Sequence, residues 1–144
     1  PTGNGNLIMP DLCIYPSPRI VPPPGVPHPG PPPSSPDGNA HARIICEVAN
    51  FQSTRSLITK CNEWLRESYV RYVIGIKLHS KSKVAKNAQG QWHRAMTAML
   101  WQQGVAQVSE WDFGSYKAGS PTHAPTGCNA LGLAQFQINI PVSD

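Results

Sequence analysis

The stretch Ile44-Ile45-Cys46-Glu47-Val48-Ala49-Asn50-Phe51-Gln52-Ser53-Thr54-Arg55-Ser56-Leu57-Ile58-Thr59-Lys60-Cys61 changes its period midway. Up to Ala49 the apolar residues are nearly continuous, which predicts a strand over 42–49 covered on both faces. From Ser53 onward the pattern is helical. Leu57, Cys61, Trp64, Leu65 and Ser68 share one face, with Arg55, Thr59, Asn62 and Arg66 opposite. Ser53 or Thr54 can accept from the first free amides, so the helix is placed at 53–67. Residues 70–78, rich in β-branched and aromatic side chains, read as a third strand. Strand, helix, strand over so short a span is a βαβ-like unit, with parallel strands joined by a right-handed crossover. The fold class that follows is α/β (α+β) with a mixed central sheet.

On the N-terminal side, residues 7–15 read as a strand. Residues 16–39 form a Pro-rich insertion loop, carrying most of the proline excess: 12 of the 16 prolines lie between Pro10 and Pro36. Proline fixes φ and lacks an amide donor, so this segment is neither helix nor central strand and reads as a stiff polyproline-like connection. Asn87-Ala88-Gln89-Gly90 is a turn. Residues 91–101 and 105–113 read as paired strands across Gln102-Gln103-Gly104, 114–132 as loop and 135–142 as a last strand. With 144 residues the chain makes one domain with a sizeable core.

The net charge of +4 and pI near 9.1 suit an anionic partner, nucleic acid included. The densest basic run is Lys77-Leu78-His79-Ser80-Lys81-Ser82-Lys83, with Lys86 following; it reads either as a solvated loop or as a phosphate-contacting patch. Cys13, Cys46, Cys61 and Cys128 show no C-x-x-C spacing and are most simply free thiols, which favours an intracellular, reducing setting, although two disulfides are also compatible with the count. No apolar run approaches the length of a membrane span, so no membrane partner is expected. The five histidines show no metal-ligand spacing.

Two acids stand out among only eight. Asp11, in Met9-Pro10-Asp11-Leu12-Cys13-Ile14, and Glu47 lie in or beside apolar strand-like runs, where a carboxylate is costly unless paired or metal-bound. Together they can hold Mg²⁺ or Mn²⁺, with the carbonyl of Val48 as a third oxygen ligand. On a helical wheel Lys60 falls about 60° from Leu57 and about 40° from Trp64, at the flank of the apolar stripe. From there it can reach Glu47 and stabilise charge on a phosphate. The alternatives are a Lys60 that snorkels and a Glu47 in a buried salt bridge to Arg43, Arg71 or Lys60. Gln52, between strand and helix, and Lys77, Lys81 and Lys83 are candidate substrate contacts.

These residues resemble the PD-(D/E)XK nuclease superfamily, and within it the Uma-type family of restriction-endonuclease-like proteins. The likeness runs from Pro10-Asp11 through Ile44-Ile45-Cys46-Glu47-Val48-Ala49 and Ser53-Thr54 to Lys60, then to Tyr69-Val70-Arg71-Tyr72-Val73-Ile74-Gly75, covering about half the chain. It implies a single restriction-endonuclease-like domain over 1–144, with Asp11 and Glu47 as metal ligands and Lys60 as the catalytic lysine of an endonuclease acting on nucleic acid. Ala49 stands where the superfamily pattern places lysine, so Lys60 takes that role from the following helix. An acid common on an N-terminal helix of the superfamily would precede Pro1, so the domain is expected to be N-terminally incomplete. Two other readings compete: a non-catalytic binding or self-assembling homo-oligomeric protein on the same fold, and a secreted protein with two disulfides.

Overall fold

A computed structural model describes residues 9–17, 19, 40–87 and 89–140. Its elements are β1 (Leu12–Ile14), β2 (Ile44–Ala49), α1 (Thr54–Leu65), β3 (Tyr72–Lys86), β4 (Trp92–Gln102), β5 (Ser109–Gly114) and a 3-10 turn at Ala134–Phe136. The five strands form one sheet in the order β1-β2-β3-β4-β5. β2 and β3 are parallel, as the βαβ-like reading predicts, and every other pairing is antiparallel. The domain is therefore mixed α/β, with α1 as its one α-helix among the described residues.

Register puts one row of side chains under α1. Ile45 pairs with Val73, which pairs with Trp101; Glu47 pairs with Gly75, which pairs with Met99; Ala49 pairs with Lys77, which pairs with Thr97. Leu57 and Cys61 of α1 close this core together with Ile45, Ala49, Val73, Met99 and Trp101. Ser53 is the cap: its Oγ accepts from the Ser56 amide at 3.1 Å. Ser68, expected on the apolar face, lies past the helix end and is exposed.

Gly75 sits where helix and sheet come closest. A Cβ there would lie 2.9 Å from the Trp101 ring and 3.1 Å from Cys61 Sγ. Gly75→Ala is accordingly expected to destabilise the domain by about 1–3 kcal/mol through overpacking. The change would be read as a lower urea midpoint at unchanged slope.

Several expectations need correction. The basic run from Lys77 is strand and not loop, because β3 continues to Lys86 and pairs with β4 beyond the point where β2 ends. The apolar run of β2 is covered by α1 on one face; on the other, among the described residues, Ile44 and Cys46 are half-buried and Val48 is exposed. β5 starts at Ser109, with 105–108 as connection. The last strand, expected over 135–142, is absent over its described part. Residues 134–136 turn, and Phe136 packs its ring 5.9 Å from Phe113 of β5, using its apolar surface for packing instead of strand pairing. Residues 7–8, most of the Pro-rich insertion (all of 20–39) and 141–144 lie outside the described residues. All four cysteines are free thiols, contrary to the two-disulfide reading. Among the described residues no helix is long and apolar enough to cross a membrane.

Candidate functional site

The β1–β2 ladder brings Asp11 and Glu47 to neighbouring backbone positions. Leu12 pairs with Cys46, so one step further along the ladder sets Asp11 beside Glu47. The Val48 amide donates to Asp11 Oδ2 at 2.7 Å, which seats this otherwise exposed carboxylate on the Glu47–Val48 peptide. Val48 thus meets Asp11 through its N–H; its carbonyl was the expected ligand atom.

Glu47 is 1% exposed. Lys60 Nζ donates to its Oε2 at 2.6 Å, and the Trp64 indole N–H donates to its Oε1 at 2.6 Å. Lys60 and Trp64 are one helical turn apart, so a single face of α1 holds both oxygens of the carboxylate. Lys60 keeps 28% of its side chain exposed, which places a charged group between the buried acid and solvent. Of the salt-bridge partners expected for Glu47, the structure selects Lys60. The sequence pattern marks Trp64 only as a core residue, yet its spacing from Lys60 on the wheel is a usable signal for a second donor.

Two neighbouring thiols register this environment. Burial, then Asp11 and Glu47, raises the Cys46 thiol. Burial, then Glu47 and Cys46, pushes Cys61 up to about 12. Because the thiolate is the reactive form, Cys61 is expected to resist alkylation in the native protein at pH 8, and all four thiols to react after denaturation. Mass spectrometry of the labelled sites reads this; rapid native labelling of Cys61 would show α1 opening from the sheet.

Lys60 also lines an open groove of about 630 Å³ with Met9, Gln52, Arg55, Ser56 and Glu63. This brings Gln52 to the same opening as Lys60. Lys77, expected at the substrate, serves the fold instead. It is buried, and its ammonium donates to the carbonyls of Asn50, at 3.0 Å, and Gln52. It pins the turn that carries β2 into α1 and so sets where Lys60 falls. Arg94, which no local sequence signal marks, reinforces the same turn by donating to Asn50 Oδ1 at 2.5 Å and to the His79 carbonyl at 2.7 Å. Lys81 and Lys83 are exposed on β3, away from the Glu47 carboxylate in the ladder.

A second polar chain crosses the same face. Thr97 Oγ1 donates to Asp112 Oδ1 at 3.2 Å, which leaves His79 Nε2 as the donor to Thr97 at 2.9 Å. Burial, then Lys77, lowers the His79 pKa. A histidine kept neutral in the fold but free to protonate when unfolded stabilises the protein above pH ~6.5 and less as pH falls. The melting temperature is thus expected to drop between pH 7 and pH 5 more in wild type than in His79→Gln.

Among the described residues no group of three or more His, Cys, Asp or Glu side chains gathers at one point. A cation at the Asp11–Glu47 pair would rest on those two carboxylates, completed by water and substrate oxygens. The donor set suits a hard ion: Asp11 Oδ1 has no partner among the described residues, and each Glu47 oxygen, with one donor, retains a lone pair. No family model, curated protein or solved structure matches the chain.

Proposed function

We propose that this chain is a restriction-endonuclease-like domain that hydrolyses nucleic-acid phosphodiesters with a divalent metal, Mg²⁺ or Mn²⁺. The observation that carries the reading is a lysine on α1 with its Nζ 2.6 Å from the buried Glu47 of β2, and a second acid, Asp11, seated on the next amide of the same strand. The order of parts also agrees with the PD-(D/E)XK resemblance: Pro10-Asp11 before β1, Glu47-Val48 in β2, a Ser53 cap, Lys60 on α1 and Tyr72 opening β3.

When bound, the metal would supply an acidified water and charge neutralisation at the phosphate. The residues supply the rest. Asp11, just before β1, and Glu47, in β2, would hold the ion. Lys60, fixed by Glu47 and open to the groove, would stabilise negative charge developing on the phosphate. Gln52 and Arg55 line the groove through which a phosphate would approach.

One observation favours a second reading, a non-catalytic binding or assembly protein on this fold. The Glu47 carboxylate already has a donor on each oxygen, so the Lys60–Glu47–Trp64 cluster is self-sufficient as a buried structural pair. The two readings separate on cleavage of plasmid DNA and of RNA with Mg²⁺ or Mn²⁺, comparing wild type with Glu47→Gln and Lys60→Ala. The nuclease reading expects metal-dependent cleavage that falls at least about 100-fold in each variant. No cleavage by the full-length wild type rejects it, and equal cleavage by all three rejects the site.

A further inference from the structure

β3 outruns its neighbour. Its parallel partner β2 ends at the Ala49–Lys77 pair, and β5 ends at the Ala95–Gly114 pair. Beyond these points β3 and β4 continue to pair with each other, through Lys81–Arg94 and Lys86–Trp92, while Arg94 on the other edge of β4 is still held by Ser115, just past β5. The result is a two-stranded ribbon leaving the end of the sheet where β2 turns into α1. That is also the end at which the groove beside Lys60 opens. Register shifts after Leu78 and again after Lys81 mark it as an irregular, more strongly twisted pair.

The ribbon is cationic on one side. Between Glu67 and Glu110 the chain has no acidic residue, so β3 and β4 carry none. Ser82 is buried toward His123, which lies 3.5 Å away, whereas its neighbours Lys81 and Lys83 are exposed. The alternation therefore turns both lysines away from the 116–123 loop. Lys86 lies 4.4 Å over the Trp92 ring near the outer end, fixing one more cation on the ribbon. Neither the Lys81 nor the Lys83 ammonium has a protein partner among the described residues, in contrast to that of Lys77, which is used inside the fold.

We infer that this ribbon is an arm that grips duplex DNA, with Lys81 and Lys83 on the phosphates. The identification of nucleic acid as the ligand rests on the proposed function. The preference for a DNA duplex is added by the shape: a two-stranded ribbon fits the roughly 12 Å major groove of B-DNA and is excluded from the deep, narrow groove of A-form RNA. Single strands offer no groove for it. Arg94, bonded to Asn50, ties the base of the arm to the turn that leads into the groove beside Lys60, so DNA held by the arm is presented at that end of the sheet.

The test measures binding without metal, by fluorescence anisotropy in EDTA across a salt series. The probes are a DNA duplex two helical turns long, either of its single strands, and the matching RNA duplex. The proteins are wild type, Lys81→Ala/Lys83→Ala, and Arg66→Ala, whose exposed side chain lies at the far end of α1. Circular dichroism checks that each is folded. Wild type is expected to prefer the DNA duplex. Each lost phosphate contact lowers the slope of log K against log[salt] by about 0.9, so the double variant should be shallower by about 2 while Arg66→Ala keeps the wild-type slope. An unchanged slope in the double variant, an equal loss in Arg66→Ala, no binding, or equal or tighter binding of single strands or RNA would overturn the arm. Because no metal is present, a protein that never cleaves can still pass. Retained cleavage with an unchanged slope would reject the arm alone.

Discussion

Lys60→Met is expected to remove about 2–3 kcal/mol of stability. Breaking a buried pair by deleting one partner typically costs 3–5 kcal/mol, because the remaining charge stays desolvated. The lower figure follows from Lys60 keeping 28% of its side chain exposed and from the Trp64 indole still donating to Glu47. Glu47→Gln/Lys60→Met should recover part of the cost, giving a coupling energy above about 1 kcal/mol in a double-mutant cycle. Additive single effects would mean that the 2.6 Å contact contributes no net stabilisation. The same cycle bears on function: strong coupling together with metal binding that survives Glu47→Gln would favour the structural reading of the cluster.

Gly114→Ala is expected to cost on the order of 3 kcal/mol. Gly114 closes β5 at φ +87, where an L-residue is strained, and its added Cβ would lie 2.3 Å from the Arg94 carbonyl oxygen and 3.2 Å from the Met96 amide. Strain and overlap with backbone each contribute about 1–3 kcal/mol, and backbone cannot move aside as a flexible side chain can. Gly104→Ala is the control. Its φ is +79, but nothing lies within 4 Å of the new Cβ, so only the conformational part, about 1 kcal/mol, should appear. Comparable denaturation midpoints for the two variants would show that β5 can shift away from Arg94 without loss.

The centre of the fold was legible because its signals are local. Period-3.6 spacing of Leu57, Cys61 and Trp64 and the Ser53 cap define α1, and the flanking apolar runs define a parallel pair. Lys60 was legible as a neighbour of Glu47 because the wheel places it on the flank of the buried stripe. What could not be read locally was which ends run on. Leu78 to Lys86 carries lysines at a spacing typical of a loop, and only pairing with β4 makes it strand. The roles of Lys77 and Arg94 were hidden for the same reason, since both serve carbonyls and amides of a turn more than 20 residues earlier in the chain. Residues around Phe136 looked like a strand because apolar content alone does not distinguish a paired segment from one that packs as coil.

The proposed chemistry turns on Asp11 and Glu47 sharing one divalent ion. A Mn²⁺ titration followed by electron paramagnetic resonance decides this, on wild type, Asp11→Asn, Glu47→Gln and Lys60→Met, each confirmed folded. One site is expected in wild type, lost in Asp11→Asn and in Glu47→Gln and retained in Lys60→Met. No bound Mn²⁺ in wild type, or binding that survives both carboxylate substitutions, would contradict a shared ion.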